Sequence, residues 1–289
     1  MTIDQSNYIQ KILERFNMKE CKLQKSPMET SQVQKRKENK DLNYTPKVPY
    51  REAIGSLLYL AGGTRPDISY AVNILSRKQS CPTYEDWESI KRIFRYLRGT
   101  SKISLTYKGK TDELEAITDA SFRDWNDGSS TSGYIISLYN DTIAWRSHKQ
   151  NQKTKSTCEA EYLAISEVCS ELISLDKATR DMLGKTFYPI TIWCDNKAAG
   201  KNTEMKGSHK LKKFDYPVEI IKENLRFREE NGKKKSIALY HGDCIKDLVS
   251  QNKCKVKWVN TKNNLADIMT KPLEWKQHDE LKNKIMNIE

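Results

Sequence analysis

The spacing of apolar residues changes once along this chain, near residue 100, and that change limits what the chain can fold into. Before it, apolar positions recur every three or four residues, the period of a helix with one buried face. Residues 5–18 place Tyr8, Ile9, Ile12, Leu13 and Phe16 on one side, with Asp4 as a cap. Ile54, Leu57, Leu58 and Leu60, followed beyond the TRPD turn by Ile68, Ala71, Val72, Ile74 and Leu75, describe a packed helical pair. Trp87, Ile90, Ile93, Phe94 and Leu97 form a third helical face that Gly99 closes. Residues 19–49 keep no such period, are rich in lysine and hold Pro27, Pro46 and Pro49, so they read as a polar linker.

After residue 100 short β-type runs follow at 103–108, 115–120, 133–139 and 142–147, enough for a three-strand meander. Residues 158–183 then make the best helix in the chain, with Leu163, Ile165, Val168, Leu172 and Leu175 as its buried stripe. A strand at 190–195, a short helical piece from Lys197, a helix over 215–228, a strand at 255–260 and a last helix from Leu265 complete the order. Strands first and then alternating helix and strand predict a mixed α/β sheet, not a bundle or a sandwich.

Fifty Lys plus Arg against 38 Asp plus Glu leave a net charge of +12, which favours a polyanionic partner, nucleic acid first, through attraction and counterion release. A membrane span is not expected, because the longest weakly polar stretch, Ala53 to Gly63, falls well short of the roughly 18 apolar residues that a span needs. Charges within MTIDQSNYIQKILERF argue against a secretory signal. The seven cysteines form no CxxC pair and read as reduced thiols; His241, Cys244 and Cys254 follow no common zinc-ligand spacing.

Four acids fall at element ends. Asp119 closes the EAIT strand, Glu161 lies in the first turn of the long helix, Asp195 closes ITIWC, and Asp267 opens the last helix after NTKNN. Carboxylates from neighbouring strand ends and helix starts can converge, and a cluster of like charges is stable only around a hard cation, for which oxygen ligands suit Mg²⁺. Any one of them alone reads more readily as a cap or a solvated surface group.

The segment YREAIGSLLYLAGGTRPDISYAVNILSR (50–77), with YIQKILERFNM (8–18) and SPM (26–28), resembles the part that follows the polymerase palm in copia-type LTR retrotransposon Pol polyproteins. TDASF (118–122), STSGY (130–134), TCEAEYLAISE (157–167), WCDNKAA (193–199) and NLADIMTKPL (264–273) resemble, in the same order, the ribonuclease H domain of that family. The resemblance implies a reverse-transcriptase thumb and connection over 1–108, a ribonuclease H-like mixed sheet flanked by helices over 109–276, and a tail at 277–289. It implies that Asp119, Glu161 (in preference to Glu159), Asp195 and Asp267 hold two Mg²⁺ or Mn²⁺ ions that drive hydrolysis of the RNA strand of an RNA/DNA hybrid. Asn263, four residues before Asp267, would position the final loop and contact nucleic acid. Apart from the resemblance, the basic stretch with Lys206, Lys210, Lys212 and Lys213, the run Lys233–Lys235, and Arg226 and Arg228 between them read either as phosphate contacts or, equally, as a solvated helix face. The remaining partners would be upstream Pol domains, reverse transcriptase and integrase, in a cytoplasmic virus-like particle or the nucleus.

Several positions depart from the family pattern. Ser121 and Phe122 replace an aspartate and a tryptophan, and Lys213, Pro217 and Glu219 replace histidine, arginine and histidine. Residues 233–253 read as an insertion, and Lys257 and Trp258 stand near the place of a mobile histidine. No Tyr-x-Asp-Asp pair is present, so the chain would not copy nucleic acid alone. The rival reading is a catalytically silent nucleic-acid-binding remnant that keeps the fold and the basic surface. A protein-interaction domain unrelated to nucleic acid is disfavoured by the charge.

Overall fold

A computed structural model describes residues 1–30, 47–125, 127–197, 245 and 248–288, with the backbone alone of 228–230 and 233–235. The first part is helical, as its period predicts: α1 (Ser6–Arg15), α2 (Tyr50–Gly63), a single 3₁₀ turn (Pro66–Ile68), α3 (Ser69–Ser76) and α4 (Tyr84–Gly99). Their apolar faces close into one core around Ile9, Ile54, Leu57, Ile68, Leu75, Ile93 and Phe94; Leu58, by contrast, is exposed. The Phe16 and Phe94 rings stack at 5.0 Å to join α1 to α4. A capping box starts α4: Thr83 Oγ1 accepts from Asp86 N (3.2 Å) and the Asp86 carboxylate accepts from Thr83 N (3.0 Å).

The five-stranded sheet has the order β5-β4-β3-β6-β9, built from β3 (Leu114–Ser121), β4 (Thr131–Leu138), β5 (Asp141–Lys149), β6 (Ile190–Cys194) and β9 (Cys254–Trp258). The first three form an antiparallel meander, and β6 and β9 then add in parallel. This is the expected ribonuclease H-like α/β architecture, a mixed sheet flanked by helices after a mostly helical segment. The 103–108 run does not join it; β2 (Leu105–Thr106) pairs instead with β1 (Thr2–Ile3) at the chain start. Within the segment read as an insertion, β8 (Lys233–Lys235) pairs with β7 (Arg228–Glu230) as a small antiparallel ribbon. The helices expected beyond Lys197 and over 215–228 lie outside the described residues, as does most of the expected linker.

Strand alternation divides the sheet into two faces. Ala116, Tyr134, Ile136 and Ile192 turn to α5 (Thr157–Leu183), whose Ile165, Val168 and Leu172 are buried against them. Ile117, Ile135 and Trp145 form a cross-strand row on the opposite face, against Ile268, Met269, Leu281 and Ile285. The last helix is not continuous. It is split into α6 (Asp267–Thr270) and α7 (Trp275–Met286), because Lys271 precedes Pro272 and takes the extended conformation (φ −136°, ψ 147°) that a residue before proline prefers. Most of the expected tail is therefore α7, with Leu281, Ile285 and Met286 buried.

A polar network fastens the two parts. Arg65, fully buried, donates from Nε to Asp67 Oδ1 (2.9 Å), from Nη2 to Asp67 Oδ2 (2.8 Å) and from Nη1 to Thr100 O (3.0 Å). Tyr96 Oη donates to Asp67 Oδ2 (2.6 Å), and His278 of α7 donates from Nε2 to Asp67 O (3.0 Å). Burial alone would raise the Asp67 carboxyl, but the Arg65 guanidinium outweighs it and holds the group down at about 2. Burial pushes His278 down, consistent with a neutral ring that donates only from Nε2. Trp145 Nε1 also crosses the boundary to Ala61 O (2.7 Å).

Removing one partner of a buried, hydrogen-bonded pair leaves the other charge without compensation, at about 3–5 kcal/mol. Asp67→Ala is expected to lower unfolding stability in urea by about that amount, whereas Arg15→Ala, at an exposed ion pair with Glu52, is expected to change it by less than about 1 kcal/mol.

Candidate metal centre

Parallel pairing of β3 with β6 sets the first two acids side by side. Thr118 is registered with Cys194, so Asp119 and Asp195, one residue further along each strand, emerge at the same end of the sheet. The third comes from α6, which lies on β4 through the bare backbone of Gly133, the residue registered with Asp119. A Cβ at Gly133 would press on Met269 Cβ and lie 2.7 Å from Thr270 Cγ2, closer than real contacts allow. Asp119, Asp195 and Asp267 each present a carboxylate oxygen, all within 4.8 Å of one another.

Glu161 arrives from the other face. Ala120, Ala160 and Ala164 are buried together, and these small side chains let α5 approach β3 closely. Glu161 is buried beside the other acids, accepts from the backbone N–H of Ala120, and groups with Asp195 and the Cys194 thiol within 4.8 Å. Glu159 does something else: with Ser156 it caps α5, its carboxylate accepting from Lys155 N (2.7 Å) while Ser156 Oγ accepts from Glu159 N (3.2 Å). All four expected acids therefore meet at one place, although they lie up to 148 positions apart in the chain, from 119 to 267.

Three neighbours escape sequence reasoning. Thr270 Oγ1 donates to Asp119 Oδ2. Lys271 Nζ lies 2.8 Å from Asp267 Oδ1 and 3.3 Å from Asp119 Oδ2. Asn264, nearly fully buried, donates to Thr118 O (3.3 Å) and Asp119 Oδ1 (3.4 Å) and accepts from Ala266 N (3.1 Å). The loop-positioning role expected of Asn263 thus belongs to Asn264; Asn263 is exposed at the end of a 3₁₀ turn (Thr261–Asn263). Pro272 was the available signal for Lys271, since it stops α6 there.

Trp258 Nε1 donates to Asp195 O (3.0 Å), and Lys197 lies 4.3 Å from the centre of its exposed ring. Trp193 is half-buried and donates to Glu115 Oε2 (3.3 Å). Lys206, Lys210, Lys212, Lys213, Pro217 and Glu219 lie outside the described residues.

Crowding acids in a buried corner favours their protonated forms. Burial, then Asp119 and Asp195, hold Glu161 well above the usual carboxylate range. Burial raises Asp119 against the pull of Lys271, and burial with the Asp119 charge pushes Asp267 up to about 6. Burial would lower Lys271, but Asp119 and Asp267 reverse this and keep it a firm ammonium. A set of carboxylate oxygens with raised proton affinity fits a hard divalent cation, since the one Lys271 charge does not balance four acids.

Two outcomes follow from this geometry. Gly133→Ala is expected to destabilise the chain by about 2 kcal/mol in urea unfolding and to weaken divalent-ion binding, because α6 must lift off β4. Because Asp267 binds its proton more tightly folded than unfolded, its contribution to metal-free stability falls as pH rises from about 4 to about 6. Urea midpoints at pH 4.5 and 7 should differ in that sense for the wild type and less for Asp267→Asn.

No protein-family model matches the chain. It is 33% identical over 279 residues to the Retrovirus-related Pol polyprotein from transposon TNT 1-94 of Nicotiana tabacum, covering 93% of this chain and 19% of that protein. It is 35% identical over 274 residues to the corresponding polyprotein from transposon RE1 of Arabidopsis thaliana, covering 94% of this chain and 17% of that one. Among solved structures, it is similar to the N-terminal RNase H domain of a Mycobacterium tuberculosis protein, with 12% identity and a TM-score of 0.32 over 59% of this chain and 96% of that one. The chain spans less than a fifth of the length of the two polyproteins. Over nearly all of its residues the chain is therefore homologous to one part of retrovirus-related, copia-type Pol polyproteins.

Proposed function

We propose that this chain is a ribonuclease H-type endonuclease that hydrolyses the RNA strand of an RNA/DNA hybrid, acting in retrotransposon reverse transcription. The observation that carries the reading is the meeting of Asp119, Glu161, Asp195 and Asp267, delivered by two parallel strand ends and two helix starts to one buried corner. These four residues would hold two Mg²⁺ or Mn²⁺ ions, which supply water activation and stabilise the leaving 3′ oxygen. The chain's own part is positional. Thr270 and Asn264 fix the Asp119 carboxylate, Trp258 holds the backbone at Asp195, and Gly133 lets α6 present Asp267. Cleavage of this kind leaves a 5′ phosphate and a 3′ hydroxyl.

The chain's net charge of +12 suits a partner with a phosphate backbone, with Lys206, Lys210, Lys212, Lys213 and exposed Asn263 as the proposed contacts outside the acidic corner. Recognition would rest on groove shape and 2′-hydroxyl contacts, so no base preference is expected. Upstream reverse transcriptase and integrase would be its partners within the polyprotein. One observation favours the rival reading of a silent, nucleic-acid-binding remnant: the Lys271 ammonium neutralises part of the acidic cluster.

Cleavage of an end-labelled RNA/DNA hybrid in Mg²⁺ or Mn²⁺ separates the two. The nuclease reading expects RNA-strand cleavage that falls to background in Asp195→Asn and without metal. Hybrid binding with no cleavage in either metal would support the remnant.

A further inference from the structure

Lys271 holds a position that the proposed chemistry does not use. Thr270 ends α6 and Pro272 keeps Lys271 extended, so its backbone is fixed beside the acids by the chain itself. Its ammonium bridges Asp267 Oδ1 at 2.8 Å and Asp119 Oδ2 at 3.3 Å, two of the three carboxylates whose oxygens lie within 4.8 Å of one another. A divalent ion taking those oxygens and this ammonium cannot occupy the same space, and two cations so close repel. The Lys271 side chain is 34% exposed, whereas Asp119 is 1% exposed, so the lysine has an open side toward solvent and the acid does not.

We propose that Lys271 is the resident counter-cation of this site: it keeps Asp119 and Asp267 together in the metal-free protein and yields its place to a divalent ion. This rests on reading the corner as a metal centre. Lys271 is then a positioning residue whose competition sets the metal affinity. Without it the empty cluster is less stable, and the ion meets no competitor.

The test is Mn²⁺ binding by the full chain, read from the spin-resonance signal of the free ion, with melting temperatures in metal-free and Mn²⁺-saturated buffer. Lys271→Ala and the better-packed Lys271→Gln are expected to bind Mn²⁺ about tenfold more tightly than the wild type. Both should melt lower without metal, and saturating Mn²⁺ should remove most of that difference. Lys271→Arg, which keeps the charge, should retain the weaker binding. Lys197→Ala, which removes a nearby charge touching neither Asp119 nor Asp267 in the bonds described, should stay within about twofold. Unchanged or weaker binding in the neutral Lys271 variants, with wild-type binding abolished by Asp195→Asn, overturns the counter-cation role and leaves the metal centre standing. Absence of Mn²⁺ uptake by the wild type and by both neutral variants overturns both.

Discussion

Asp119 is a carboxylate at 1% exposure near the end of a central strand, and a buried charge that is neither paired nor hydrogen-bonded is among the most destabilising features a fold can contain. The residues around it are explained by that constraint. Thr270 and Asn264 donate to it, Lys271 supplies an opposite charge, and Gly133 clears the backbone so that the segment carrying Thr270 and Lys271 can come down on the sheet. The same segment brings Asp267 with it, while parallel pairing of β3 and β6 adds Asp195. The acidic corner and the devices that make it tolerable are thus one piece of architecture.

That piece needs a rigid platform. The helical first part lies on the sheet face opposite α5, and its link to α7 runs through a fully desolvated pair, Arg65 with Asp67, completed by Tyr96 and His278. Such a network contributes less to net stability than its contacts suggest, but it fixes geometry, because every other arrangement leaves a buried charge unsatisfied. The 3₁₀ turn at Pro66–Ile68, α4 and α7 are therefore held together, and α6 is carried between two anchors: the network on one side and Gly133 on the other.

Much of this is legible in the amino-acid sequence. The helices of the first hundred residues, the antiparallel meander, the long helix and the strands around Ile192 and Val256 all follow from apolar period, and the four acids stand out as charges at element ends. What stayed hidden has a common cause. Lys271 is one lysine in a lysine-rich chain, and no spacing rule distinguishes an ammonium facing two acids from one facing water. Asn264 and Asn263 are adjacent, and only the turn of the backbone decides which is buried. The 103–108 run has strand composition but finds its partner at Thr2 and Ile3, a long-range pairing that local pattern does not encode. Leu58 and Trp193 show the converse: apolar composition sets a preference for burial, and the neighbours that pack decide it.

The central claim is that Asp119, Glu161, Asp195 and Asp267 form one metal centre. Anomalous diffraction from crystals of the chain equilibrated with Mn²⁺ tests it most directly. The account predicts manganese peaks within coordination distance, roughly 2.0–2.3 Å, of oxygens from these four side chains, with the Lys271 ammonium displaced from Asp119 and Asp267. Peaks confined to other residues, or a corner that keeps its lysine bridge and takes up no manganese at saturating concentration, would contradict it.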